Sequence, residues 1–187
     1  LRQPPADNAP RVSVADLGMG NMHEPPDRRS VVYLDPAPRA AFERADETRP
    51  RMDQVKETFV PHVLPIVVGT TVDFPNNDHT YHNVFSLSRA GTFDLGRFPR
   101  GQSRTRDFSR PGLVKVFCHL HSHMSAIVRV FPHPYFAVPD RNGRFTIPDV
   151  PVGRVEITAW HERAGEVTRS ASVEDGSAAE LTFSLLL

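Results

Sequence analysis

Eighteen prolines are scattered through 187 residues, about twice the usual share. Proline has no backbone N–H and clashes with the preceding turn of a helix, so a protein of long helices is disfavoured where it recurs this often. Between the prolines lie short runs of β-branched and aromatic residues, many of them alternating with polar ones, which is the pattern of half-buried strands. Strands are expected over 11–15, 30–34, 54–59, 63–68, 71–74, 82–87, 104–108, 113–118 and 126–131, with Gly69 turning between the fourth and fifth. Beyond His133-Pro134 further strands are expected over 135–138, 144–147, 155–159, 167–173 and 179–186, with Asn142-Gly143 as a hairpin signal. The fold class expected is all-β. Residues 1–10 read as a flexible tail, and residues 37–51, rich in Arg, Glu and Ala, as a connecting segment, either a short helix or a solvated loop.

Composition removes several functions. Lys+Arg and Asp+Glu are 22 each, so no basic excess points to nucleic acid or an anionic membrane. No apolar run approaches the length needed to span a bilayer. The single Cys excludes an internal disulfide framework and any zinc site that takes two or more cysteines from this chain. Nine His beside that one Cys is the unusual count. The chain begins at Leu1 rather than Met, and the expectation is that an upstream piece, such as a signal peptide, has been removed.

Cys118 closes the apolar run Leu113-Val114-Lys115-Val116-Phe117, and His119-Leu120-His121-Ser122-His123-Met124 follows before the next apolar run, Ala126-Ile127-Val128. Upstream, Asp78-His79-Thr80-Tyr81-His82-Asn83-Val84-Phe85 places another imidazole at the mouth of a strand. A thiolate, two imidazoles and a weak thioether form the donor set of a blue-copper electron-transfer site. Sulfur and imidazole nitrogen serve both Cu(I) and Cu(II), and a rigid β-scaffold holds one geometry for both.

The stretch 52–131 resembles a cupredoxin, with a ligand loop like that of the amicyanin group. The Cys-x-x-His-x-x-Met spacing is met by Cys118, His121 and Met124, and the upstream His-Asn-Val by His82-Asn83-Val84. The lead-in Val68-Gly69-Thr70-Thr71-Val72-Asp73-Phe74 resembles the paired strands before the first copper His. The phrase from His62-Val63 through Phe74-Pro75-Asn76 to Ser86 resembles bacterial cupredoxin-like proteins of the methylamine-utilisation type. The resemblance implies a Greek-key β-sandwich holding one copper per chain, with His82, Cys118 and His121 as equatorial ligands and Met124 axial. It implies that Asn83 ties the two ligand loops together. His123, five residues after Cys118, is the alternative to His121 at a spacing other cupredoxins use. His79, His119 and His123 are either exposed loop residues or ligands of a second, weaker copper site. His161 and Glu162 beside Trp160 read as packing rather than as a metal site.

The segment Asp140–Gly153, with its Gly hairpin, Phe145-Thr146-Ile147 and Val150-Pro151-Val152-Gly153, resembles a carboxypeptidase-regulatory-like domain, a small transthyretin-like β-sandwich. The opening strands of such a domain resemble residues 11–34, far upstream. Residues 11–36 and 132–187 are therefore expected to form one discontinuous sandwich with the cupredoxin inserted, since loop tips tolerate insertions.

One-electron transfer with a redox partner protein is the function this reading favours, in a bacterial periplasm or another extracytoplasmic compartment by the resemblance. Copper storage, delivery or resistance is the second reading, suggested by the surplus histidines. A zinc-binding or metal-free interaction module is the third. An enzyme is not expected, because Cys118 is taken by the metal role and no other nucleophile has a positioned base.

Overall fold

The structure, a computed structural model, describes residues 29–36 and 49–186. The expected tail 1–10, the strand 11–15 and nearly all of the connecting segment 37–51 lie outside the described residues. Among the described residues every regular element is a strand and no helix occurs. They divide into two compact units, one made of 30–36 and 135–186, the other of 29 and 49–134.

The first unit is built on an antiparallel sheet in the order β11-β1-β12-β13, where β1 is Ser30–Leu34, β11 Phe136–Ala137, β12 Gly153–His161 and β13 Gly165–Val173. β1 lies between two strands that come more than 100 residues later, with Val32 opposite Ala137 on one side and Ala159 on the other. Its run Val31-Val32-Tyr33-Leu34 is buried throughout, as a central strand covered on both faces requires. Val32, Leu34, Ile157, Ala159 and Val173 form one apolar layer. Phe145, Ile147 and Phe183 complete it from segments that make no strand. The expected strands 144–147 and 179–186 are thus absent as strands, although their side chains do alternate in and out. Asn142-Gly143 closes no two-residue hairpin either. Asp140 Oδ1 accepts the N–H groups of Asn142 and Arg144, each at 2.8 Å, and makes a compact loop instead. Trp160 lies on β12, 8 % exposed. At the β12–β13 turn, His161 Nδ1 accepts the N–H groups of Arg163 and Ala164 at 3.1 Å, so that nitrogen serves the turn.

In the second unit a five-stranded sheet runs β4-β10-β9-β6-β7. Its strands are β4 Val63–Val67, β6 His82–Ser88, β7 Gly91–Phe98, β9 Gly112–Phe117 and β10 Ser125–Phe131. β4 and β10 are parallel, and the remaining neighbours are antiparallel. A two-stranded sheet pairs β5 (Thr70–Pro75) with β8 (Ser103–Phe108). Val72 and Phe74 of β5 and Phe108 of β8 share one buried cluster with Phe93, Val84, Val114, Val116 and Val128 of the larger sheet. On the edge strand β8, Arg104 and Arg106 lie over the rings of Phe98 and Phe93 at 5.5 and 5.4 Å. Charges set there discourage pairing with a second sheet edge.

A small hairpin joins β2 (Asp53–Val55) to β3 (Thr58–Val60). The single strand expected over 54–59 is therefore two strands with a turn at Lys56-Glu57. Both turn residues have left-handed backbones, at φ 51° and 53°, the requirement of a two-residue type I′ turn. That conformation costs roughly 1–2 kcal/mol for each L-residue that is not glycine. Bridges from Arg51 to Asp73 and from Gln54 to Asn76 tie this hairpin to β5. Because β6 and β9 are antiparallel, with Phe85 opposite Phe117, the start of β6 and the end of β9 meet at one end of the sheet. The hairpin tip reaches the same end.

Candidate metal centre

Three donor atoms converge where β6 begins and β9 ends. His82 Nδ1 and His121 Nδ1 are 3.0 Å apart, and each lies 3.9 Å from Cys118 Sγ. Among the described residues this is the one group of three or more His, Cys, Asp or Glu side chains close enough to share an ion. In that triangle a single in-plane point lies about 2.0 Å from both nitrogens and about 2.3 Å from the sulfur, the lengths of imidazole and thiolate bonds to a first-row metal ion. The spacing of the donors therefore suits a metal ion. His82 is fully buried, Cys118 is 4 % exposed and Met124 is 1 % exposed, in the same apolar cluster as Cys118. A triangle of two imidazole nitrogens and one thiol sulfur, on a link that also carries Met124, suits copper better than zinc, which takes four strong donors in a tetrahedron.

The local sequence explains how His82 is aimed. Asn76, fully buried, donates from Nδ2 to the carbonyls of Thr80 and Phe98, and its Oδ1 accepts the N–H of Asp78. The loop 76–81 is thereby folded back onto the sheet. It presents Asp78 Oδ2 at 3.0 Å from His82 Nε2. A carboxylate there accepts the ring proton, so Nδ1 keeps its lone pair for a metal. Asp78 also accepts the N–H of Glu57 at 2.6 Å and of His79 at 2.8 Å. These bonds, led by that from Glu57, hold the Asp78 carboxyl down at about 2 against the partial opposing effect of burial.

The other donors sit on the link between β9 and β10. Cys118 follows the last residue of β9, and a thiol becomes a ligand by losing its proton. The N–H of Met124 donates to the carbonyl of His121 at 3.0 Å, which closes the link into a turn. Asn83 Oδ1 accepts the N–H of His119 at 3.2 Å, and its Nδ2 donates to Asp94 Oδ1 at 2.6 Å. One amide thus joins the strand of His82 to the residue after Cys118 and to β7.

The surplus histidines are dispersed. His79 Nδ1 lies 3.0 Å from Arg100 Nη1. His119 stacks on Phe85, with ring centroids 3.7 Å apart and 7° between planes, and its Nε2 lies 3.9 Å from Asp94. The side chain of His123 is 62 % exposed and its Nε2 faces Glu57 Oε2 at 3.4 Å. The structure brings His121, not His123, to His82 and Cys118. It does not bring His79, His119 and His123 to one another. Two residues at the site were missed in the sequence. Asp78 stands four positions before His82, a spacing that could have drawn attention to it. Glu57 lies 21 residues before Asp78, and nothing in the sequence points to it.

Comparison with protein-family models finds no match, and comparison with curated proteins finds none. Solved structures that resemble the chain include cupredoxins and a copper enzyme. A copper-containing nitrite reductase from Thermus scotoductus is 28 % identical, over 46 % of this chain and 23 % of its own, with a TM-score of 0.43. The chain thus spans about a quarter of that protein. A purple cupredoxin from Nitrosopumilus maritimus is 24 % identical over 44 % of this chain and 99 % of its own, at 0.41. An amicyanin variant in its reduced state is 21 % identical over 49 % of this chain and 90 % of its own, at 0.43.

Proposed function

We propose that the chain is a one-electron carrier with a single copper held by His82, Cys118 and His121, and with Met124 as a weak axial donor. The observation that carries this reading is the donor triangle of two imidazole nitrogens and one thiolate sulfur. Copper bound there supplies a Cu(I)/Cu(II) couple. The protein supplies rigidity. His82 is fixed by Asp78, Cys118 by the end of β9, and Asn83 by bonds on both sides. Little has to move when the charge changes, which is what an electron carrier needs. The partner is another redox protein, and an extracytoplasmic location goes with this reading. Residues 30–36 and 135–186 are proposed as a transthyretin-like scaffold into which a cupredoxin, 49–134, is inserted.

Storage or delivery of copper is disfavoured by the dispersal of His79, His119 and His123, which leaves no second cluster among the described residues. Titration of the purified protein with Cu(II) tests the proposal. One equivalent should bind and give an intense visible band from sulfur-to-copper charge transfer, reversibly bleached by a mild reductant. Cys118→Ser should remove the band while circular dichroism keeps its β-signature. A band that survives the substitution, or two or more tightly held coppers per chain, would overturn the electron-carrier assignment.

A further inference from the structure

Glu57 reaches both halves of the donor set. Its backbone N–H donates to Asp78 Oδ2 at 2.6 Å, and that same oxygen lies 3.0 Å from His82 Nε2. Its carboxylate lies 3.7 Å from His121 Nε2 and 3.4 Å from His123 Nε2. His121 presents Nδ1 to the other donors, so when it ligates its ring proton sits on Nε2, the nitrogen that faces Glu57. Each imidazole of the donor set is thereby backed by a carboxylate, His82 by Asp78 and His121 by Glu57. The backbone adds an independent observation. Lys56 and Glu57 hold φ of 51° and 53°, where Asn-Gly would sit more easily. Backbone strain of this kind concentrates at functional sites.

We propose that Glu57 is a positioning residue that lowers the reduction potential of the bound copper through the charge it sets beside His121. This rests on the copper reading above. The oxidised centre carries one more positive charge than the reduced one, so a nearby carboxylate favours the oxidised state. The 3.7 Å separation is too long for a hydrogen bond, so the effect acts through charge. The Glu57 side chain is 44 % exposed, which screens it and keeps the effect moderate.

Glu57→Gln keeps the chain length and the N–H to Asp78 but removes the charge. Glu57→Gly removes the charge and relieves the left-handed turn. Voltammetry at fixed pH should show a higher potential in both variants. The expected change is a roughly threefold to tenfold weaker preference for Cu(II) over Cu(I), tenfold being 59 mV for one electron. The visible band should remain, and Glu57→Gly should resist urea better than Glu57→Gln. Zn(II), with the charge of Cu(II), should bind the two variants more weakly than wild type in a competition assay. A coloured Glu57→Gln protein with unmoved potential would overturn the proposal and leave the copper assignment standing. A shift in Glu57→Gly alone would assign the effect to the turn and also overturn it. A wild-type protein that never colours with copper would overturn the copper assignment. In that case equal Zn(II) affinities of wild type and Glu57→Gln would separately remove the role of Glu57.

Discussion

Asp78 shows how much one carboxylate can determine. It orients His82, and it is itself fixed by the N–H groups of Glu57 and His79. Asp78→Asn should keep the fold but weaken metal binding by roughly 10–100-fold, as loss of an outer partner of a ligand usually does, measurable by competition with a chelator. The acid response follows from its depressed pKa. A carboxyl held at about 2 against an ordinary 3.8 stabilises the fold fully above the ordinary value. That contribution is lost as pH falls through about 2. Wild type should therefore exceed Asp78→Asn in urea resistance at pH 5, and the margin should shrink steadily between pH 4 and 2. The thioether supplies a second test. Met124→Leu is volume-conserving in a buried position. It should leave copper bound and raise the potential, because the lost weak donor supports Cu(II) more than Cu(I). His121→Ala should bleach the site and His123→Ala should leave its band nearly unchanged. The opposite pair of results would reassign the ligand.

The strands show what a sequence pattern carries. The runs 30–34 and 63–67 and the ligand strands at 82–88 and 112–117 were legible because β-branched and aromatic residues fill them. Cys118, His121 and Met124 lie on one short link, so the spacing that makes them proposed donors is local and readable in the sequence. Less legible were features decided by distant partners. Residues 144–147 and 181–186 alternate correctly between buried and exposed, yet form no strand among the described residues. Alternation reports which way side chains face, and ladder bonds depend on what lies alongside. β7 was missed because Gly91 and Gly96 break its pattern. The turn at Lys56-Glu57 was missed because it lacks the residues that favour it, and with it went the approach of Glu57 to the site. At the start of β9, Gly112 has φ 136°, and a Cβ there would stand 2.9 Å from the Cβ of Ala90. Gly112→Ala should cost roughly 1–3 kcal/mol of stability in urea denaturation. The visible band should be unaltered, since the ligands lie at the other end of the strand.

For the whole molecule, the partition into 30–36 with 135–186 and 49–134 has a direct test. All the donors and their supporting residues, from Glu57 to Met124, fall in the second unit. Residues 49–134 expressed alone should fold and bind one equivalent of copper with the spectrum of the full chain, whereas a colourless or aggregated product would show that the site needs the rest of the protein. The placement of Trp160 has a further consequence. It is the sole tryptophan of the sequence, and it stands on β12 in the unit without donors. With copper bound as proposed, each unit would carry its own optical reporter, indole emission in one and the thiolate charge-transfer band in the other. Followed together in a single denaturant series, the two signals show directly whether the units melt in step or one after the other.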